Sequence, residues 1–173
     1  MDVGQQGRGV GTLESEGLRA SLLAGVILGV VEIAGGALVM GNPLWPVQAP
    51  ASLFVQAHAF DAGFLAFAVP LSLGIHFSLA TTYGFLYGLV SSAERLSTRL
   101  DARREAGLGA LFGAGIWLIN FQLVARLFYP WLFATNQLAQ LVLHVGFGVV
   151  LAMLFRRKER KRVGEARTTI RPV

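Results

Sequence analysis

Long apolar runs at roughly 18–41, 66–90, 107–130 and 138–156 alternate with short polar stretches along this chain of 173 residues. Each run is close to, or longer than, the about 20 apolar residues that a helix needs to cross a hydrocarbon core. The pattern predicts an all-α fold: an integral membrane four-helix bundle made of two helical hairpins. The runs and their connectors take nearly the whole chain, so no soluble catalytic domain remains.

The polar segments fill in the boundaries. Residues 1–17 are polar and glycine-rich without the basic start of a secretory signal, and read as a disordered tail whose Thr12 or Ser15 caps the first helix. Gly41-Asn42-Pro43 stops that helix. The connector 42–65 follows, with Pro43, Pro46 and Pro50 enforcing an extended start, Trp45 suited to the headgroup level, and a short interfacial helix expected from Ala51 to Phe60. Pro70 should kink the second span near one end. The third span closes on Tyr129-Pro130-Trp131, an interfacial aromatic cluster, and residues 157–173 form a basic tail.

Charge then orients the bundle. The chain is 54% hydrophobic and 14% charged, with mean hydropathy +0.57 and net charge +5. The basic residues are Arg8 and Arg19 before span one, Arg95, Arg99, Arg103 and Arg104 between spans two and three, and Arg156, Arg157, Lys158, Arg160, Lys161, Arg162, Arg167 and Arg171 after span four. The connectors 42–65 and 131–137 hold no Lys or Arg, so the positive-inside rule places both termini in the cytoplasm. The cluster RRKERKR is expected to meet anionic lipid headgroups, at about 1 kcal/mol per residue near the surface, rather than nucleic acid. With no cysteine, the chain offers no disulfide, thiolate metal site or Cys nucleophile.

Against this apolar background the polar residues inside the spans stand out. Glu32 lies within AGVILGVVEIAGGALVM, on one helical face with Gly25, Gly29 and Gly36, which leave a groove for a neighbouring helix. A lone carboxylate facing lipid costs several kcal/mol, so it is protonated, paired or reached by water. His76 in span two, Asn120, Gln122 and Arg126 in span three, and His144 in span four complete the set. At 1.5 Å per residue, Glu32, His76, Asn120, Gln122 and His144 all fall about 10–15 Å below one end of the bundle, and Arg126 about 6 Å below it. Each helix thus contributes to a polar belt at one level. Further glycines, Gly84 and Gly88 in span two, Gly109 and Gly113 in span three and Gly148 in span four, are expected at close helix contacts.

Three readings of the belt compete. In the first, the groups hydrogen-bond one another and the belt is closed, which makes the protein a non-enzymatic accessory subunit that joins copies of itself or a larger membrane complex through its glycine faces. A Glu32–Arg126 ion pair is one version of that closure. In the second, Glu32 with His76 or His144 forms a proton-linked transport or channel site. In the third, His76 and His144 hold a haem b, with Gly84, Gly88 and Gly148 giving room for the macrocycle. No metal site is expected, because no local His-xxx-His or Glu-xx-His pair exists. No Gly-x-Ser-x-Gly, His-Glu-x-x-His or phosphate-binding glycine loop is present either, so no enzyme is expected. His58 and Asp61, three apart in the connector, form a solvated pair.

Two resemblances add to this. Within the chain, GLRASLLAGVILGVVE is similar to GLGALFGAGIWLINFQ about 90 residues later, with Gly25 falling on Gly115 and Glu32 on Gln122, as a duplicated hairpin would give. From Thr82 onward, YGFLYGLV, the basic connector, GLGALFGAGIWLINFQLVARLFYP and LHVGFGVVLAMLFRR together resemble the bacterial inner-membrane proteins of the YagU type. That resemblance implies a four-helix fold in the bacterial inner membrane and brings no known reaction.

Overall fold

In a computed structural model the backbone is described for residues 3–97 and 101–169, and the side chains for 18–38, 41–91 and 101–157. The described residues contain helices and turns and no strand. Helix α1 (Val3–Met40) is followed by two short helices in the connector, α2 (Trp45–Gln48) and α3 (Ser52–Val55), and then by the long helix α4 (Leu65–Ser97). Helix α5 (Ala102–Trp117) continues as a π-helical segment, Leu118–Ala125, and ends in α6 (Arg126–Phe128). Helix α7 (Pro130–Phe133) turns the chain into α8 (Gln137–Thr169). Four stretches are long and apolar enough to cross a membrane: Leu18–Leu38, Ala62–Ser91, Ala102–Phe128 and Gln137–Arg157. They coincide with the four runs read from the pattern. Instead of a disordered tail capped at Thr12 or Ser15, the backbone from Val3 is already helical and runs without a break into the first span; the side chains of 1–17 and those of the basic tail beyond Arg157 fall outside the described ones.

Local chemistry explains where the helices turn. Gly41 takes φ +64°, a left-handed conformation in which a side chain is strained, and the Asn42 amide donates 3.0 Å back to the Gly36 carbonyl. Asp101 caps α5, its carboxylate accepting from the Arg104 amide at 2.9 Å. Helix α4 runs on through Pro70, which sits in its second turn and there lacks an N–H to donate.

The helices pair as two hairpins, α1 against α4 and α5 against α8, and α1 also packs on α8. The tightest contact joins α5 to α8. A Cβ added to Gly113 would strike the His144 carbonyl oxygen, and one on Gly148 would strike the Gly109 carbonyl oxygen; one on Gly109 would lie 2.7 Å from Ala152 Cβ. Backbone therefore meets backbone over about one turn. Below this crossing Tyr87 is buried between Phe112 and Phe155, with ring centroids 5.3 Å away in both cases, and Leu151 and Ala152 complete a dense core. Buried Glu105 approaches Arg156 to 4.0 Å at the same end. This half of the bundle, on the side of the basic connector, is filled.

The half on the side of connector 42–65 is different. The π-helical turns of Leu118–Ala125 are wider than α-helical ones; they pack on α7 and meet α8 through side chains, Phe121 edge-on to His144 with ring centroids 5.4 Å apart and Gln122 bonded to Gln137. The connector folds over the gap. Instead of one interfacial helix from Ala51 to Phe60, it forms α3 between tight turns at Ala49–Ala51 and Gln56–Phe60. Small polar groups hold it down: Ser72 accepts from the Ala51 amide at 2.8 Å, and the Gln48 side chain donates to the Ala59 carbonyl at 3.0 Å. Tyr129 donates to the Leu53 carbonyl at 3.2 Å and Trp131 to the Ser52 hydroxyl at 3.0 Å.

Candidate functional site

The gap under the connector is a chamber of about 720 Å³. Span one supplies Gly25, Leu28 and Glu32, and span two supplies His76, Leu79, Ala80 and Tyr83. Ile116, Asn120, Phe121 and Val124 come from span three, and Gln140, Leu143, His144 and Phe147 from span four. Trp45, Pro46, Ala49, Pro50 and Leu53 form its roof. Such a volume lies within the about 300–1,000 Å³ of pockets that hold small molecules. Its walls are mainly apolar, and neither Lys nor Arg is among the lining residues.

The polar belt is partly closed. His76 Nε2 lies 2.9 Å from the Gly25 carbonyl oxygen. A carbonyl only accepts, so Nε2 carries a proton, and in the neutral ring Nδ1 keeps its lone pair. His144 Nδ1 likewise donates to the Gln140 carbonyl at 2.8 Å, which leaves the lone pair on Nε2. Tyr83 donates to Asn120 Oδ1 at 2.8 Å, across from span two to span three. Gln122 donates to Gln137 Oε1 at 3.2 Å and is absent from the chamber lining.

Glu32 remains open. It is half-buried, lines the chamber, and makes no hydrogen bond or ion pair among the described residues. The ion pair with Arg126 does not form: Arg126 is exposed, with its guanidinium 5.6 Å from the centre of the Phe133 ring. The π-helical segment contributes to this result. Asn120 and Val124, four apart in this segment, share the face that lines the chamber, and Gln122 and Arg126, each two residues further on and about half a turn round, face away from it.

The glycine faces are used inside the chain. Gly25 and Gly29 form the groove that receives His76, whose Nε2 would lie 3.7 and 3.6 Å from added Cβ atoms. Gly36 meets the connector instead of a helix, its Cβ position lying 2.8 Å from Pro46 Cγ. Gly84 is buried, and Gly88 faces Phe155 of span four at 3.5 Å. The space expected for a macrocycle beside Gly88 and Gly148 is thus taken by Phe155 and by the Gly109 backbone, while His76 Nε2 is engaged at Gly25. No group of three His, Cys, Asp or Glu placed to hold a metal ion occurs among the described residues. His58 and Asp61 pair at 3.1 Å on the exposed face of the connector, away from the chamber.

Positions aligned by the internal similarity do different work. Gly25 packs against Ala80 and His76, whereas Gly115 has nothing within 4 Å of an added Cβ. Glu32 lines the chamber and Gln122 does not. Tyr83 and Phe121 are lining residues that the belt of titratable and amide groups left out. Tyr83 follows His76 by seven residues, so helical spacing alone places both on one face. In comparison with known proteins, no family model, no curated protein and no solved structure matches this chain.

Proposed function

We propose that this chain is a small proton-linked transporter of the bacterial inner membrane, with both termini in the cytoplasm and the connector 42–65 outside. The observation that carries the reading is an unpaired carboxylate, Glu32, on the wall of a chamber that is filled in toward the basic end and spacious toward the other. A buried ionisable group without a structural partner costs stability, and sites of this kind in membrane helices serve ion and substrate pathways. In this reading Glu32 holds either a proton or the guest, and the two exchange.

Two features support the remaining roles. His76 and His144, each with one ring nitrogen fixed to a backbone carbonyl and one lone pair left, are placed to relay protons to and from the chamber. Tyr83 bonded to Asn120 joins spans two and three across it. The accessory-subunit reading draws on the same Tyr83–Asn120 and Gln122–Gln137 bonds, which satisfy part of the belt internally. Assembly with a second copy would use the lipid-facing surfaces, since Gly25, Gly36, Gly88, Gly109, Gly113 and Gly148 are occupied within the chain, while Gly35, Gly74, Gly115 and Gly146 are open.

The test is reconstitution into liposomes that enclose a pH-sensitive dye, followed by addition of cationic, anionic and neutral solutes in turn. Wild type is expected to move protons with at least one class and Glu32→Gln with none. Identical traces from both proteins for every class would remove the transport reading and favour the accessory one.

A further inference from the structure

The charge and wall chemistry of the chamber identify the class of guest, an inference that rests on the chamber's being a binding site. We infer that the chamber takes a lipophilic organic cation, a protonated amine or quaternary onium compound, held by Glu32 and by the surrounding aromatic rings.

Glu32 is the one acidic residue lining the chamber, and no Lys or Arg offsets it. An anionic guest would leave water for a site with no cation to meet it and a carboxylate to repel it. A cation would give Glu32 the partner it lacks among the described residues. His76 Nδ1 and His144 Nε2, whose ring protons point to backbone carbonyls, offer further lone pairs toward N–H groups.

The walls decide between organic and inorganic cations. A divalent metal ion exchanges its hydration shell for several oxygen or nitrogen ligands, and among the described residues no group of three His, Cys, Asp or Glu is placed to supply them. Here the lining is mainly apolar and includes the rings of Trp45, Tyr83, Phe121, Tyr129 and Phe147. Aromatic faces attract organic cations, and apolar substituents on the guest gain from the same walls. A carboxylate, aromatic rings and about 720 Å³ of space together match a cation the size of a small drug.

Tetraphenylphosphonium and tetraphenylborate, nearly equal in size and opposite in charge, are the probes. Equilibrium binding of each to the purified full chain in detergent is expected to show saturable binding of tetraphenylphosphonium alone. Its affinity is expected to fall at least tenfold in Glu32→Gln, with the helical circular-dichroism signal unchanged. Equal affinity for the two probes, no binding of tetraphenylphosphonium, or undiminished binding by Glu32→Gln would overturn the inference. If that variant fails to fold, the two probes on wild type decide it alone. Proton movement with an anionic or neutral solute, without tetraphenylphosphonium binding, overturns the cation assignment and leaves transport standing. Tetraphenylphosphonium binding without proton movement for any solute supports the cation site and removes transport.

Discussion

His76 of the second span donates through Nε2 to the carbonyl oxygen of Gly25 in the first, at 2.9 Å. The bond joins the first hairpin at the level of the chamber, where Gly25 lets the first two spans approach closely enough for the imidazole to reach the backbone. Close by, an added Cβ on Gly25 would lie 2.9 Å from Ala80 Cβ, nearer than two carbons can sit without moving a helix.

Gly25→Ala is therefore expected to destabilise the bundle by about 1–3 kcal/mol, the usual range for overpacking. Ala80→Gly introduced with it should recover most of that loss, because the collision is between these two positions. Unfolding in mixed detergent, run as a double-mutant cycle, measures the coupling; additive effects would contradict the contact.

The second hairpin separates its glycines more sharply. Gly113→Ala and Gly148→Ala each drive a methyl group into a carbonyl oxygen of the facing helix, where no flexible side chain can yield. Either should cost about 3 kcal/mol or more, at the upper end of overpacking, and sharply lower the yield of folded protein. Gly115→Ala and Gly146→Ala meet nothing within 4 Å and should be neutral or slightly stabilising, given the better helix propensity of alanine. Thermal melts of the four variants side by side test the division.

The roof of the chamber is fastened to the end of the third span by Tyr129 to the Leu53 carbonyl and Trp131 to the Ser52 hydroxyl. Each bond contributes about 0.5–1.5 kcal/mol, so Tyr129→Phe with Trp131→Phe should make the connector open about tenfold more often. Chymotrypsin cleavage after Phe54 or Phe60 in detergent should speed up by that factor. An unchanged rate would mean that Ser72 and Gln48 hold the connector without them.

Glu32 should show a trade between function and stability. Its carboxyl has no partner among the described residues, and replacing an unsatisfied polar group by an apolar one of similar size recovers about 1–3 kcal/mol. Glu32→Leu is therefore expected to raise the unfolding temperature while abolishing guest binding. A fall in unfolding temperature would show that the carboxyl does have a structural partner.

The four spans were legible because crossing a membrane requires long apolar runs, and composition records such runs directly. The Gly41 turn was legible for a similar reason: one residue type meets one backbone need. The belt was legible as a level, from residue rise alone. Its connectivity was not, because whether Glu32 meets Arg126 or stands open depends on which face of the third span turns inward, and with Asn120 and Val124 on the chamber Arg126 is left exposed. The chamber was hidden for a deeper reason. It is the space between backbones that diverge beyond a tight crossing, and no residue type encodes a space. The fastening of the connector was not legible either, since nothing in the sequence marks Ser52, Ser72 and Gln48 as buried partners of Trp131, Ala51 and Ala59.

The contact between Gly109 and Gly148 lies between the filled end and the spacious end of the second hairpin. Two helices touching through bare backbone cannot be pressed closer, so the smallest residues in the chain set the least distance between its third and fourth spans, and every larger side chain beyond the crossing has to be accommodated within the spacing they fix.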